Sequence, residues 1–343
     1  MRHLLNTLFV TSEDIYLSLD GENVVASREK AAVARYPLHT LSAIITFAYP
    51  GASPALMGAC AQRGIALSFC TPRGKFLARV TGEANGNVLL RRTQYRAADD
   101  PAQSRAIARA MVFGKVHNAR WSIERTRRDH GLRVDDRRLG EVSGQLKALL
   151  PQLLQETDLD SLRGLEGAGA TAYFGVFDKL ILGDRSLFRF ETRSRRPPLD
   201  PVNALLSFAY SLLSHDCAWA LESVGLDSYV GFLHRDRPGR NSLALDLMEE
   251  FRPCVADRFV LTCINNRVFQ KSDFVCRENG GVLLSEGGRR TFLQRWQERK
   301  KDSLTHPFLG EKVPWGLVPY LQALLLARYL RGDLDAYPSF LWK

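Results

Sequence analysis

The chain has 343 residues, 45% of them apolar and 24% charged, with 47 Lys+Arg against 37 Asp+Glu for a formal charge of +10. That balance excludes a disordered or fibrous chain and leaves length for two domains whose cores need neither disulfides nor structural metal. No apolar run is long enough to span a bilayer, and the opening MRHLLNTLFVTSEDIYLSLD breaks its short apolar stretch at Asn6, so neither a membrane protein nor an ordinary signal peptide is expected.

The first 95 residues read as β-rich. LLNTLFV, DIYLSLD, ENVVAS, AVARYP and LSAIITFA are short runs with β-branched residues and partial alternation. Asp20-Gly21-Glu22-Asn23 predicts a turn, and PALMGACAQRG a short helix. IALSFC and KFLARV follow as strands around a turn at Pro72-Arg73-Gly74, a spacing that predicts a small sheet or sandwich. The pattern changes near residue 100. From Pro101 to about His130, Ile107, Ala110, Met111, Phe113 and Val116 mark one apolar face of a long Arg-rich helix. Further helices are expected over 138–156, 158–182, 201–224, 243–265, 289–302 and 315–331, with Asp200 capping the helix that Pro201 opens. The expected fold class is α+β: a β-rich domain over 1–95 and a larger helical domain over 96–343.

The six cysteines, Cys60, Cys70, Cys217, Cys254, Cys263 and Cys276, include no Cys-x-x-Cys pair, which excludes a zinc ribbon. Scattered thiols among apolar neighbours predict reduced core residues and a cytoplasmic setting. The excess positive charge is clustered. Residues 91–140 hold 13 Lys+Arg against 6 Asp+Glu, and Arg189, Arg193, Arg195 and Arg196 form a second cluster. Arginine forks suit phosphate oxygens, so a polyanion partner such as nucleic acid stands beside the plain alternative of a basic solvated surface.

Three patches of the helical half combine acids or imidazole with small or basic neighbours. In LRGLEGAGATAYFGVF, Gly164, Gly167 and Gly169 crowd around Glu166. Interior helix glycines cost about 1 kcal/mol each relative to alanine, so something approaches this backbone closely, either another helix or a ligand. In VGFLHRDRPGR, His234 ends a strand-like apolar run, as a metal ligand, a proton carrier or a polar core edge. In SLALDLMEEFRP, Asp246 and Glu249 stand at i and i+3 on one helical face. Carboxylates that close raise each other's cost of ionising, and a cation between them removes it. Mg²⁺ and Mn²⁺ fit such oxygen ligands, Mn²⁺ accepting imidazole more readily. Spacing alone does not choose between Glu249 and Glu250.

The order LEGAGATAYF, GFLH, SLALDLMEEFRP resembles the integrase of CRISPR adaptation, CRISPR-associated protein one. FETRSRRPPLDPVNALLSFAY, the late KSDF and GGVLLSEGGRRTFLQRWQE extend the resemblance over essentially the whole chain, in wording closest to the subtype I-C branch. The resemblance implies metal ligands at Glu166, His234 and Glu249, with Asp246 either at the metal or orienting a ligand. It implies an N-terminal β-domain that makes a homodimer, and a partner, the small ferredoxin-like CRISPR-associated protein two. The implied reaction is Mg²⁺- or Mn²⁺-dependent insertion of short duplex DNA fragments at a CRISPR repeat. Arg193, Arg195, Arg196 and Arg252 are the expected phosphate contacts, Arg252 alternatively pairing with the acids beside it. A branched-DNA repair nuclease and a non-catalytic DNA scaffold are the competing readings.

Overall fold

A computed structural model describes residues 7–41, 43–71, 76–80, 82 and 88–343. The chain divides into two compact units. One comprises Met1–Asn85 with Leu284–Asp302, the other Gly86–Leu283 with Ser303–Lys343. The boundary thus falls ten residues before the expected 95, and a late helix belongs with the first unit.

In the first unit, β1 (Thr7–Val10), β5 (Ala43–Thr46), β6 (Ala66–Cys70) and β7 (Phe76–Val80) form one sheet in that order. β2 (Tyr16–Asp20), β3 (Asn23–Arg28) and β4 (Ala31–Pro37) form an antiparallel meander. The turn expected at 20–23 is present, with Asp20 paired to Asn23 and Gly21 at φ +57°. The turn at Pro72-Arg73-Gly74 lies outside the described residues, as do Leu4 and Leu5 of the first run. The four-stranded sheet is mixed because α1 (Pro54–Arg63) is a crossover. It carries the chain from β5 back to a parallel β6, and Ser53 caps it by accepting the Leu56 N–H. Leu17, Val24, Leu38, Ile44, Leu56 and Leu67 are fully buried in one hydrophobic cluster.

The second unit begins with α2 (Val88–Asp99), in a stretch expected to close the β-domain. α3 (Pro101–His130) follows under an Asp100 cap and runs the expected length. It is more than a surface helix with one apolar face. Between Ile107 and Ile123 small residues such as Ala108, Gly114, Ala119 and Ser122 are buried along with the large ones, so neighbours close on it from several sides. α4 (Asp136–Gln155) and α5 (Leu159–Phe174) pack on it and on each other, and α6 (Pro201–Ser223) packs instead on the helices that follow it. α5 stops short of the expected 182, giving way to a 3₁₀ turn over Phe177–Leu180.

The segment expected as one helix over 243–265 has three parts. α7 (Ser242–Glu249) and α8 (Arg258–Asn265) flank a wide π turn, Arg252–Asp257. Pro253 sits inside it, and a proline that lacks an N–H and crowds the preceding turn favours such widening. A short hairpin of β8 (Phe274–Cys276) and β9 (Val282–Leu284) leads to α9 (Glu286–Lys301), which packs in the first unit through Gln297 donating to the Thr7 carbonyl at 3.0 Å. β10 (Ser303–Thr305), β11 (Lys312–Pro314) and α10 (Val318–Leu330) complete the second unit. Its last residues form no regular element, yet Tyr337, Phe340 and Trp342 are buried. Among the described residues no helix is long and apolar enough to cross a membrane. All six cysteines are unbridged, five of them buried.

Candidate metal centre

α5 starts where Asp158 accepts the Ser161 N–H. Its glycines have separate uses. A Cβ on Gly169 would lie 3.2 Å from Val116 and 3.5 Å from Leu149, so this glycine lets α3 and α4 close on α5. Gly167, where a Cβ would meet nothing within 4 Å, lines a cavity of about 530 Å³ together with Glu166. The helix seam and the open site both exist, one glycine apart.

His234 is not at the end of a strand. The run before it has no strand partner; instead the Asp246 carboxylate on α7 accepts the N–H groups of Phe232 at 2.6 Å, Leu233 at 2.9 Å and His234 at 3.0 Å. The His234 Nδ1–H donates to the same carboxylate at 2.5 Å. Asp246 is fully buried and does not line the cavity, so it acts by holding the loop and the imidazole. Three more side chains fasten this loop. Gln94 on α2 donates to the Asp227 and Val230 carbonyls, Ser104 donates to the Phe232 carbonyl, and Arg163 donates to the Leu233 carbonyl. Gly231 completes the fit, since a Cβ there would lie 2.9 Å from Asp246 Oδ2.

The choice between neighbouring glutamates is one of direction. Glu249 lines the cavity. Glu250 turns the other way and accepts from Tyr337 Oη at 2.6 Å, the Phe340 N–H at 2.5 Å and Gln322 Nε2 at 3.2 Å, which pins the C-terminal segment. Burial outweighs these bonds and pushes Glu250 up to about 8. At Glu249 the balance is opposite. Burial pushes upward most strongly of any single influence, but Arg252, Lys115 and His234 together hold the group down to about 2.

The cavity wall is strongly charged. Arg252 Nη2 lies 3.2 Å from Glu249 Oε1, and its guanidinium sits over the Tyr210 ring at 4.9 Å. Arg193 faces the same ring at 5.2 Å and donates to Asn203 Oδ1 at 2.6 Å and Ser207 Oγ at 3.1 Å. Tyr210 donates to Asp257 at 2.6 Å, and burial raises Asp257 to about 6 against the pull of that bond and of both arginines. Arg195 is exposed and lines the cavity; Arg196 is exposed and does not. Of the expected site residues, Glu166, His234, Glu249, Arg193, Arg195 and Arg252 therefore meet at one cavity, while Asp246 and Arg196 do not reach it.

Lys115, which the sequence reading passed over, is the centre of this arrangement. Its ammonium on α3 makes ion pairs with Glu166 and, at 2.6 Å, with Glu249 Oε2. Among the described residues no three acids, imidazoles or thiols stand close enough to grip one cation. The donor set nevertheless fits a divalent metal. Two carboxylates already converge on one positive group, the Lys115 ammonium, the position a cation between them would take. The imidazole adds a third donor. With Nδ1–H committed to Asp246, its other ring nitrogen keeps a lone pair, the arrangement usual for a ligating histidine.

A family model described as CRISPR associated protein Cas1 matches residues 8–298. The chain belongs to the Cas1 family. It is 48% identical over 343 residues to the CRISPR-associated endonuclease Cas1 1 of Chlorobaculum tepidum, covering the whole of both chains. It is 51% identical over 347 residues to the CRISPR-associated endonuclease Cas1 2 of Rhodospirillum rubrum, again over both whole chains. Its fold matches that of a casposase bound to integration product with TM-score 0.83 at 23% identity, covering 98% of this chain and 94% of that one.

Proposed function

We propose that this Cas1 chain is a metal-dependent DNA endonuclease and integrase that inserts short duplex fragments into a CRISPR array. The observation that carries the reading is the convergence of Glu166, Glu249 and an Asp246-oriented His234 on one arginine-walled cavity. Acids at a phosphate-binding surface repel DNA unless a cation lies between them. Glu166, His234 and Glu249 would hold Mg²⁺ or Mn²⁺, which when bound supplies Lewis-acid polarisation of the scissile phosphate and a lowered pKa for the attacking hydroxyl. Asp246 fixes the imidazole and its tautomer. Arg195 at the cavity and Arg196 outside it receive phosphate oxygens of the flanking strand. Arg193 and Arg252 already contact Tyr210, and they stiffen the wall and lend it positive potential.

A 3′-hydroxyl of the fragment attacks a repeat phosphate, and the repeat's own 3′-oxygen leaves; with water in place of the hydroxyl the same site hydrolyses DNA. The working form pairs a Cas1 homodimer, joined through the β-rich unit, with the small ferredoxin-like CRISPR-associated protein two. The wording of the motifs favours the subtype I-C branch, and six unbridged thiols suit the cytoplasm.

Integration of a labelled duplex into a plasmid carrying a repeat tests this reading. Glu166→Ala, His234→Ala and Glu249→Ala should each abolish metal-dependent cleavage and strand transfer while leaving most DNA affinity, which comes from the basic surface. Near-normal strand transfer by any of them removes that residue from the ligand set. Cleavage of branched DNA with no integration, even with the small partner present, would favour the repair nuclease.

A further inference from the structure

The cation that Glu166 and Glu249 share in this structure is Lys115, and its position is built in. α3 approaches the end of α7 closely at Gly114, where a Cβ would lie 3.1 Å from Glu250 Cγ and 3.5 Å from Ser339 Cβ. That approach sets the next residue, Lys115, against Glu249. The side chain is only 12% exposed, and both its ion-pair partners stand far away in sequence on α5 and α7. Lysine is rarely buried without such pairing.

The charges at this point cancel. Glu166 and Glu249 are matched by Lys115 and Arg252. A divalent cation on the same carboxylates would stand within a few ångströms of the ammonium, and the two repel at that range. One of the two side-chain cations must withdraw. Arg252 is held over Tyr210 and beside Glu249, whereas a lysine swings on a flexible four-carbon stem.

We propose that Lys115 is a displaceable internal counter-ion. It closes the acid pair before the metal arrives, then swings out into the cavity to meet a DNA phosphate when the metal takes its place. This rests on the metal-site reading above and adds its regulation. Metal and DNA then help each other bind, because each takes one partner of the same ion pair, and linkage requires the effect to be reciprocal.

The test uses the full-length chain and Mn²⁺, titrated calorimetrically without DNA and then with a short duplex lacking 3′-hydroxyls. Lys115→Gln and Lys115→Met should bind Mn²⁺ about tenfold or more tightly than the wild type when DNA is absent, removal of a competing charge being worth at least one pKa-sized unit. DNA should raise the Mn²⁺ affinity of the wild type several-fold more than that of the variants, because the metal–phosphate contact is common to all of them and only the wild type also releases a lysine. A lysine with a merely structural role would give weaker or unaltered Mn²⁺ binding, and that result overturns the proposal. Glu166→Gln distinguishes the two levels. If it keeps full Mn²⁺ affinity, the metal-site reading fails and the proposal with it. If it loses Mn²⁺ binding while the Lys115 variants bind as the wild type does, only the counter-ion idea falls. Should both Lys115 variants misfold, acetylation kinetics on the wild type replace them: Lys115 should react faster with Mn²⁺ present than without, and an equal or slower rate overturns the proposal.

Discussion

The two units bury opposite kinds of interior. In the β-rich unit the buried polar side chains among the described residues, Thr46 and Ser68, are uncharged, and the ion pairs, such as Arg28 with Asp14 and Arg63 with Glu22, stand at the surface. In the helical unit Asp246, Glu249 and Asp257 are all at or below 3% exposure, and Glu249 pairs with Lys115 and Arg252. Burying charge is unfavourable unless each group is paired and hydrogen-bonded, so a fold keeps such a cluster where something other than stability requires it. The first unit is organised by the removal of apolar surface from water. The second gives up part of that stabilisation to hold charges in fixed positions.

The contrast can be broken most severely at Asp246. Asp246→Leu leaves three backbone N–H groups and the His234 Nδ1–H without their acceptor in the interior. At about 1–3 kcal/mol for each buried donor left unpaired, the loss should be on the order of 5 kcal/mol, enough to unfold the unit. Urea denaturation would measure it, and a loss below that of an ordinary core truncation would mean the carboxylate is dispensable for the loop. The ordinary truncation is Leu17→Ala, in a fully buried position of the first unit. It should cost about 2–5 kcal/mol as a cavity, with no change in Mn²⁺ affinity at the other unit's acids.

A subtler change sharpens the comparison without removing any functional group. Gly231→Ala would place a Cβ 2.8 Å from Ser242 Cβ and 2.9 Å from Asp246 Oδ2. The loop must shift, and His234 with it. Strand transfer should fall roughly 10–100-fold, as for loss of a group that orients a metal ligand, while circular dichroism stays unchanged. Unimpaired strand transfer would show that the imidazole tolerates displacement.

Much of this was legible in residue order. Asp200-Pro201 marked a helix start because a carboxylate cap and a proline in the first turn act locally, and the structure shows the same pair at Asp100-Pro101. Glu166 and His234 stood out because an acid and an imidazole interrupt glycine-rich and apolar stretches, Asp246 and Glu249 because they share a helical face; the choice of Glu249 over Glu250 came from the family resemblance. What escaped depends on distant partners. Lys115 looks like one more base in an Arg-rich helix until α5 and α7 bring two carboxylates to it. The run before His234 is apolar and strand-like, yet the N–H groups that a neighbouring strand would have bound go to Asp246, twelve or more residues on. α2 has no strand-like alternation in VLLRRTQYRAAD, and its expected place in the β-domain followed only from its neighbours; Gln94, buried at its centre, was the polar residue out of pattern.

The smallest expected effect lies in acid. His117 on α3 is buried between Phe113 and Trp121, with ring centroids 6.4 and 6.1 Å away. Burial, with Lys343 and Arg120 nearby, depresses its pKa from 6.5 to about 4. The folded state therefore holds the ring neutral where the unfolded chain would protonate it. The stabilisation from this group is complete above pH 6.5 and is lost as pH falls through about 4. The first unit has no buried imidazole among its described residues, so this part of the acid response belongs to the helical unit. His117→Gln keeps a donor but cannot titrate in this range. It should lower the acid-unfolding midpoint, followed by tryptophan fluorescence, by about half a pH unit, because the unfolded state no longer gains a proton there. An unchanged midpoint would assign the acid sensitivity to the carboxylates instead, Glu249 foremost, whose protonation dissolves its ion pairs with Lys115 and Arg252.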